Sequence, residues 1–401
     1  MSNKTLLQIN VTANWGSTGK IAEQIGVCAQ RNGWESYVAY GRYMNPSENR
    51  LIKIGSQFDV YEHYAENRLL DGEGLASRHA TRRFLQEMDR IRPDIVHLHN
   101  IHDHYLNYPL LFSYLAEKNI PIVWTFHDCW AFTGHCMYYP SECERWQTEC
   151  HDCPQTFPLA LDRSRRNHMM KKKMIESLPN LTIVPVSEWL ADCVRRSYLK
   201  NRPLEVIHNG IDIHQFSPQT DDVHERYGIA PDKKIVLGVA SVWDTRKGLA
   251  DIYTLAWVLP AEEYAIVVVG QLREKSQDVA GCQMVFVART QNVLELAQLY
   301  SSASVYINPT YQDNYPTTNL ESLACGTPVI TYRTGGSPEA VEEATGVVVE
   351  QGNVTALAAA VETVCRRGKA TYHTACRQRA LRCFDKDKCF SQYINLYNEI
   401  L

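Results

Sequence analysis

The chain has 401 residues and a formal net charge of −4, with 45% hydrophobic and 21% charged residues. This length suits two domains, and the composition is that of an ordinary soluble globular protein. The charge argues against a nucleic-acid-binding protein, and the lack of any apolar run of about 18 or more residues argues against a transmembrane helix.

The first half alternates short apolar runs, predicted as strands, with helical patterns such as Ile21–Asn32. Its first strand begins almost at the N-terminus without an apolar signal core before it. We therefore expect a cytoplasmic protein, which could lie at the inner face of the plasma membrane. The predicted strands of this half are Leu6–Val11, Ser36–Ala39, Asp94–Leu98, Ile122–Phe126 and Leu181–Val186.

The second half has the same pattern and begins after a predicted linker, Asn201–Pro218, which contains two prolines and an Asn-Gly pair. Short buried strands that alternate with helices predict parallel sheets with crossover helices. The predicted helices include Asn292–Ser302 and Leu320–Ala324. The predicted strands are Lys234–Val239, Tyr264–Val269, Met284–Val287, Ser304–Ile307 and Pro328–Thr331.

These patterns predict an α/β fold of two doubly wound, Rossmann-like domains. We place the domains at residues 1–205 and 206–380, with a tail helix at 381–401. Ligands of doubly wound sheets bind outside the carboxyl ends of the strands, so we expect the domains to face a central cleft. The tail carries an apolar stripe that needs a partner surface, formed by Phe390, Tyr393, Leu396, Tyr397 and Ile400.

A loop of small residues, Asn14–Lys20, follows the first strand and opens a helix. It matches neither the Walker A nor the G-x-G-x-x-G pattern. Gly16 and Gly19 would still let a ligand approach backbone N–H groups, and the alternative is a tight turn that serves only chain geometry. The position after the first strand favours ligand contact.

Histidines end two of the predicted strands. His99 and Asn100 follow one strand, and His127 follows the next. Such a histidine could hydrogen-bond a sugar hydroxyl or a phosphate, or it could be buried and satisfied by the backbone. His97 alternates to the other face of its strand and is expected in the core.

Four cysteines lie in a loop-like stretch rich in Trp, Tyr and Pro: Cys136, Cys143, Cys150 and Cys153. The last two have the spacing of a metal knuckle, and four thiols match the ligand number of a structural zinc. The alternative is a set of reduced thiols, because thirteen scattered cysteines indicate a reducing compartment rather than a disulfide framework. Further candidate ligands are Cys129, His135 and His151.

Two charged sequences have a functional interpretation and a simpler alternative. The basic run Arg163–Lys173 could contact an anionic membrane surface or a pyrophosphate-bearing acceptor, but a solvated helix face is the default interpretation. Asp385-Lys386-Asp387 has the D-x-D spelling of metal-dependent glycosyltransferases. It lies near the helical tail rather than after a strand, so we interpret it as chance.

The most informative stretch is Asp313–Pro328, where a short acidic loop leads into a helix. Helix N-termini bind anions such as phosphate, and carboxylates beside such a site, here Asp313 and Glu321, usually hold sugar hydroxyls. Lys247 follows a strand of the same half and could neutralise a diphosphate; the alternative is a solvated surface turn. A ligand that is part sugar and part phosphate is therefore expected.

Together these stretches resemble the GT4 family of retaining glycosyltransferases, which have the GT-B fold. The most specific part is similar to the family's E-x7-E region, with Asp313 and Glu321 at the two acidic positions. The first half resembles the branch that builds bacterial capsule and exopolysaccharide repeat units, such as the colanic-acid-type transferases. Further matching stretches are Asn319–Glu321, Ala324–Val329, Gly335–Glu339, Asn209–Asp212 with Phe216, and Arg246–Gly248.

The resemblance implies transfer of a sugar from a UDP-, GDP- or ADP-sugar to a glycan or lipid-linked glycan, with retention and without a catalytic cofactor. It also implies that the tail helix packs back on the N-terminal domain. The implied catalytic residues are Lys247 at the diphosphate, Asp313 at the transferred sugar and His127. The implied donor-binding residues are Glu321 at the ribose, Arg246, Thr318, Asn319, Gly16 and Gly19. The acceptor-side residues are His99, Asn100 and Asn209.

Three positions depart from the family pattern. Asp313 replaces glutamate, so its carboxylate has a shorter reach. Ser241 stands where many members carry an arginine that pairs with the lysine, and Pro316 replaces the usual glycine of the acidic loop. Two alternatives stay open: a sugar-nucleotide epimerase of the same fold, which acts without an acceptor, and a non-catalytic nucleotide-sugar-binding protein. The presence of Lys247 and Glu321 argues against the latter.

Overall fold

The short apolar runs form two parallel sheets, each in its own unit. The computed structural model describes residues 4–72, 74–138, 143–156, 161–220, 222–273 and 284–401. One unit consists of Met1–His208 and Phe390–Leu401, and the other of Asn209–Cys389. The sequence had placed the divisions after residues 205 and 380.

Within the described residues, each sheet has six strands. The first sheet contains β1 (Thr5–Asn10), β2 (Glu35–Tyr40), β3 (Arg50–Lys53), β4 (Ile95–Leu98), β5 (Ile122–Phe126) and β6 (Leu181–Pro185). The second sheet contains β7 (Lys234–Trp243), β8 (Tyr264–Leu272), β9 (Met284–Val287), β10 (Val305–Asn308), β11 (Val329–Tyr332) and β12 (Gly346–Val349).

Helices connect these strands. In chain order they are α1 (Gly16–Arg31), α2 (Gln57–Leu70), α3 (Arg78–Ile91), α4 (Tyr108–Lys118), α5 (Ser164–Glu176), α6 (Glu188–Arg196), α7 (Val223–Arg226), α8 (Leu249–Val258), α9 (Val293–Ser302), α10 (Thr317–Ala324), α11 (Val354–Arg367), α12 (Lys369–Cys383) and α13 (Lys386–Ile400). Across the described parts of the chain, no helix combines the length and apolar character that spanning a membrane requires.

The two sheets have the same topology. The first has the order β3-β2-β1-β4-β5-β6, and the second has β12-β11-β10-β7-β8-β9. If the strands of the second sheet are numbered from β7 and read from the β9 edge, the two orders are the same. All strand pairs are parallel, for example Leu6 opposite Ile95 in the first sheet and Val305 opposite Val236 in the second. This is the doubly wound order, and the predicted fold class is confirmed. Its ligand-binding position is the switch point, between β1 and β4 and between β7 and β10.

Burial explains why most strands were predictable. The central strands β4, β5, β10 and β11 are buried along their whole length, as expected for parallel strands covered on both faces. The edge strand β3 is partly exposed and reads Arg-Leu-Ile-Lys. It lacks a continuous apolar run, and the sequence prediction missed it. The prediction also missed β12, although that strand reads Gly-Val-Val-Val.

The tail helix α13 packs on the first unit through its aromatic stripe. Tyr397 shares a hydrogen bond of 2.6 Å with His97 Nδ1, and Tyr393 accepts one of 3.0 Å from Thr125 Oγ1. His97 also bonds Thr125 through Nε2 at 2.8 Å. His97 is fully buried, so it belongs to the core, as predicted.

The Asp385-Lys386-Asp387 sequence has a structural role at the start of α13. The side chain of Asp385 accepts a hydrogen bond from the N–H of Asp387, as a helix cap does. Lys386 pairs with Asp212 at 2.7 Å, and Gly210 lies so close that an added Cβ would stand 2.5 Å from the Cα of Lys386. The Asn209–Asp212 stretch therefore joins the start of the second unit to the tail helix.

Candidate active site

The second unit brings two predicted residues together at its switch point. Lys247 lies in the turn after β7, and Asp313 lies in the loop after β10, 66 residues later. Their side chains form an ion pair with 2.5 Å between Nζ and Oδ2, and they are only 20% and 15% exposed. Because β7 and β10 are neighbours, the topology itself places these two loops side by side.

Backbone contacts fix the turn that carries Lys247. The carbonyl of Arg246 accepts the N–H of Tyr311 at 2.8 Å, and the guanidinium of Arg246 donates to the carbonyl of Gln312 at 3.3 Å. Gly248 has a φ of +74°, and a Cβ there would stand 2.0 Å from the carbonyl oxygen of Pro309. Position 248 therefore requires glycine, because the turn lies directly against the loop that holds Asp313.

The N-terminus of α10 lies directly after the acidic loop. Pro316 occupies the cap position and provides no side-chain hydrogen bond, unlike Ser187 at α6 and Asn292 at α9. The first N–H groups of a helix have no partner within it and carry a partial positive charge. Thr318 is half-buried in this first turn, so an anion beside it could accept from the backbone and the hydroxyl.

Asn319 holds this helix in place. It is fully buried, its Oδ1 accepts from Asn308 Nδ2 at 2.9 Å, and its Nδ2 donates to the carbonyl of Ser337 at 3.2 Å. Both ends of the amide are therefore used within the protein. The side chain ties α10 to the end of β10, whereas the sequence had placed it among the donor contacts.

Glu321 stands one turn further along α10. It is half-buried, and its carboxylate accepts a hydrogen bond of 3.0 Å from the hydroxyl of Tyr300. Burial, together with the nearby Glu321 charge, raises the pKa of Tyr300 well above its usual value. The phenol therefore remains a donor that orients the carboxylate.

A glycine turn supports the acidic loop from the other side. Gly335 has a φ of +51°, and a Cβ at this position would stand 1.8 Å from the carbonyl oxygen of Asp313. The Gly-Gly-Ser-Pro-Glu turn is thus required by the close approach of two backbones.

In the first unit, polar side chains collect at the carboxyl ends of β4 and β5. Gln8 donates to the carbonyl of Ala22, which leaves its Oε1 to accept from His99 Nε2 at 3.1 Å. His99 Nδ1 is then the acceptor for His127 Nε2, also at 3.1 Å. This chain of bonds makes Nδ1 of His127 a hydrogen-bond acceptor.

The two histidines are uncharged near neutral pH. Burial lowers the pKa of His127 to about 4, because the opposing effect of Asp128 is smaller. Burial also lowers the pKa of His99 well below its usual value. A neutral acceptor at His127 suits a sugar hydroxyl better than a phosphate.

A second buried pair, His102 and Asp128, lies beside them, and its histidine was not among the predicted residues. His102 Nε2 and Asp128 Oδ2 are 2.8 Å apart, and Asp128 Oδ1 accepts the N–H of Trp130. These residues, with His99 and His127, line one cavity. The spacing His99-x-x-His102 directly after a strand is the signal that could have indicated this pair.

The remaining predicted positions have distinct surroundings. Gly16 begins α1 with a φ of +66° and has open space where a Cβ would stand, whereas a Cβ on Gly19 would meet Thr12 Oγ1 at 2.6 Å. Gly19 thus serves the packing of α1, and Gly16 leaves room for a ligand. The N–H of Asn100 donates to Asn10 Oδ1 at the switch point, and Asn209 is buried in the second unit.

Of the four cysteines predicted to bind a metal, two lie within ligand distance of each other. Cys136 and Cys153 lie together with His135, their ligand atoms all within 4.8 Å of one another. Cys143 and Cys150 line the same cavity as Cys136 and Cys153.

Family models match both units of the chain. The model described as Glycosyltransferase Family 4 matches residues 19–215, and the model described as Glycosyl transferases group 1 matches residues 219–380. WcaC of Escherichia coli K12, named as a colanic acid biosynthesis glycosyl transferase, is 22% identical over 98% of this chain and 100% of its own.

Solved structures share the architecture. Sucrose-phosphate synthase from Thermosynechococcus elongatus has a TM-score of 0.72, with 18% identity over 99% of both chains. HepE of Anabaena, solved in complex with UDP-glucose, has a TM-score of 0.67, with 14% identity over 98% of this chain and 99% of its own. With two doubly wound units and a glycosyltransferase model matched to each, the chain belongs to the family 4 type of glycosyltransferases and has the GT-B fold.

Proposed function

We propose that the enzyme transfers a sugar from a nucleoside-diphosphate sugar to a glycan acceptor in polysaccharide synthesis, with retention at the anomeric carbon. The observation that carries this proposal is the Lys247–Asp313 pair beside the uncapped N-terminus of α10. A diphosphate needs a cation and N–H donors, and a sugar needs hydrogen-bond acceptors. The name of WcaC and the UDP-glucose bound to HepE support this choice of pathway and donor.

The proposed chemistry is charge stabilisation at a departing diphosphate. As the bond between the anomeric carbon and the phosphate oxygen breaks, the oxygen keeps the electron pair. The ammonium of Lys247 and the first N–H groups of α10 stabilise that charge. The acceptor hydroxyl attacks from the same face, and its proton passes to the departing phosphate. Glu321 holds the ribose, and Asp313 accepts hydrogen bonds from the transferred sugar.

Within the first unit, we assign His127 to a sugar hydroxyl. Its Nδ1 is an acceptor because His99 and Gln8 fix the tautomer. His99 is buried and positions His127, so we propose that it acts through His127 rather than by touching substrate.

Product analysis by proton NMR tests the proposal and separates its alternatives. The protein is incubated with UDP-, GDP- and ADP-sugars, with and without a glycan or lipid-linked glycan acceptor. We expect donor consumption only with acceptor, and a product with the anomeric configuration of the donor. A changed donor sugar without acceptor would establish the epimerase instead. Binding without turnover of any donor would establish the non-catalytic alternative, and an inverted product would contradict retention.

We also propose that the first unit touches the anionic inner face of the plasma membrane, where a lipid-linked acceptor is held. Helix α2 carries an exposed apolar stripe, with Phe58 75% exposed, Tyr61 64% and Leu69 67%. The spacing places these residues on one face of the helix. Helix α5 carries the basic run, and most of its cations are exposed. Apolar and basic surface together favour anionic membranes.

Vesicle co-sedimentation tests this contact. We expect the protein to bind vesicles that contain phosphatidylglycerol more strongly than phosphatidylcholine vesicles. The double substitution Phe58→Ser and Tyr61→Ser should weaken binding by about tenfold or more, because it removes two exposed aromatic rings that would insert into the membrane interface. The matched control is Trp257→Ser, an exposed aromatic of the second unit, which should bind as the wild type does. Equal binding by the double variant would refute the contact.

A further inference from the structure

One cavity of the first unit is lined by four thiols from the loop between β5 and α5. They are Cys136, Cys143, Cys150 and Cys153. The sulfurs of Cys136 and Cys153 are 3.7 Å apart. A disulfide needs about 2.0 Å, whereas two thiolates on one tetrahedral zinc, each about 2.3 Å from the metal, are about 3.8 Å apart. The spacing of these sulfurs is that of two ligands on one metal ion.

A histidine and a carboxylate adjoin the same sulfurs. His135 Nε2 is buried without a hydrogen-bond partner among the described residues, and its ring belongs to the group within 4.8 Å of Cys136 and Cys153. The other nitrogen, Nδ1, lies 3.1 Å from Asp71 Oδ1. Asp71 therefore fixes the orientation of the His135 ring beside the two sulfurs.

Two cations lie near the thiols. Lys171 is buried, lies with its Nζ 4.0 Å from the centre of the Trp130 ring, and acts electrostatically on both Cys136 and Cys150. Arg145 lines the cavity and donates to the carbonyl of His151 at 2.9 Å. Zinc with four thiolates carries a net charge of −2 by simple addition of formal charges. Buried charge of that sign requires neighbouring cations of this kind.

We propose that this cavity is a structural Zn²⁺ site whose ligands are the sulfurs of Cys136, Cys143, Cys150 and Cys153. Four protein ligands close the coordination shell, so the ion has a structural role. His135 stands beside the site, within 4.8 Å of the Cys136 and Cys153 sulfurs. With the ion bound, its Nε2–H would donate to the thiolate of Cys153, while Asp71 holds the ring. The described parts of residues 133–163 contain one short helical turn, Arg145–Gln147, and the ion takes the place of regular structure.

The site also joins elements that the proposed function uses. Asp71 ends α2, accepts the N–H of Arg163 at 3.0 Å just before α5, and through its carbonyl accepts from Asn167 at 2.7 Å. The loop that carries the thiols begins directly after His127 and Asp128. The zinc site therefore fixes the path from the end of β5 to α5.

Metal analysis of protein purified without chelators tests the proposal, and it does not depend on activity. We expect about one equivalent of zinc in the wild type and less than about a tenth in Cys150→Ser and Cys153→Ser. The control Cys28→Ser, which removes a half-buried thiol of α1, should keep the metal. Less than about a tenth of an equivalent in the folded wild type would overturn the proposal. Loss in His135→Ala, with retention in Cys143→Ser or Cys150→Ser, would overturn the ligand set.

A second measurement covers the case in which the cysteine variants do not fold. Titration of the folded wild type with a mercurial reagent should release zinc in step with thiol modification, read by a colorimetric chelator. Replacement of zinc by Co²⁺ should give the intense visible absorption of a tetrahedral thiolate site. Thiol modification without metal release, or an octahedral Co²⁺ spectrum, would contradict the proposal.

Discussion

Replacing Lys247 with alanine is expected to lower kcat by about 100-fold or more, equivalent to about 2.7 kcal/mol of lost transition-state stabilisation. The physical reason is that the ammonium meets charge that grows on the diphosphate as the sugar leaves. Steady-state kinetics with saturating donor measure the effect. Circular dichroism should show that the variant stays folded, because the residue lies in a surface turn rather than in the core.

The matched control is Lys234→Ala. Lys234 also forms an ion pair in the second unit, at 3.1 Å from Glu263, but it lies at the opposite, amino end of β7. We expect its removal to leave kcat within about a factor of two, since exposed pairs contribute little. A Lys247→Ala variant with a wild-type rate would contradict the assigned role. Equal losses in both variants would indicate a general electrostatic effect.

Replacing Glu321 with alanine is expected to lower kcat/KM by about 100-fold, mostly through a higher KM for the donor. The carboxylate is proposed to bind the ribose, which does not change during the reaction. Its loss therefore removes binding that the ground state and the transition state share. Hydrogen bonds to charged groups contribute about 1.5–3 kcal/mol each, which agrees with this magnitude.

Tyr300→Phe separates binding by Glu321 from positioning. This variant removes the 3.0 Å hydrogen bond but keeps the carboxylate. We expect a KM increase of about tenfold or less, because the carboxylate loses only its orienting donor. If Tyr300→Phe raised the KM for the donor as much as Glu321→Ala does, the carboxylate alone would not account for donor binding, and the tyrosine hydroxyl would be equally necessary. If Glu321→Ala changed kcat alone, the ribose assignment would be wrong.

Much of the fold could be predicted because its strands are buried on both faces. Runs such as Ile122–Phe126 are continuous and apolar, and this pattern identifies parallel strands directly. Edge strand β3 has charged residues at both ends and only two half-buried apolar residues between them, so no such signal exists there. The capping box formed by Ser56 and Asp59 marks the N-terminus of α2 in the sequence, but the prediction did not use it.

The residues of the candidate site were harder to predict than the elements that carry them. The resemblance implies that Asn319 lies near the diphosphate at the N-terminus of a helix. In the structure its buried amide joins Asn308 to Ser337, a contact that depends on how β10 and α10 meet. The tautomers of His99 and His127 depend on Gln8, which is 91 residues from His99 in sequence. Hydrogen-bond networks over such separations leave no local pattern.

We expect the departures from the family pattern to affect donor choice. Asp313 has a shorter side chain than glutamate, yet it still reaches Lys247. Pro316 fixes its own φ at −70° at the start of α10. Ser241 is exposed in β7, and the cation beside Lys247 in sequence is Arg246. We expect these three differences to set the sugar and nucleotide that the enzyme accepts.

The central claim is that the second unit binds a nucleoside diphosphate at the Lys247–Asp313 pair. Isothermal titration calorimetry of the wild type and of Lys247→Ala with UDP, GDP and ADP tests it most directly. We predict that one nucleotide binds the wild type at about one equivalent, and that Lys247→Ala weakens its affinity by about tenfold or more. Absence of binding by all three nucleotides, or equal affinity in the variant, would contradict the account.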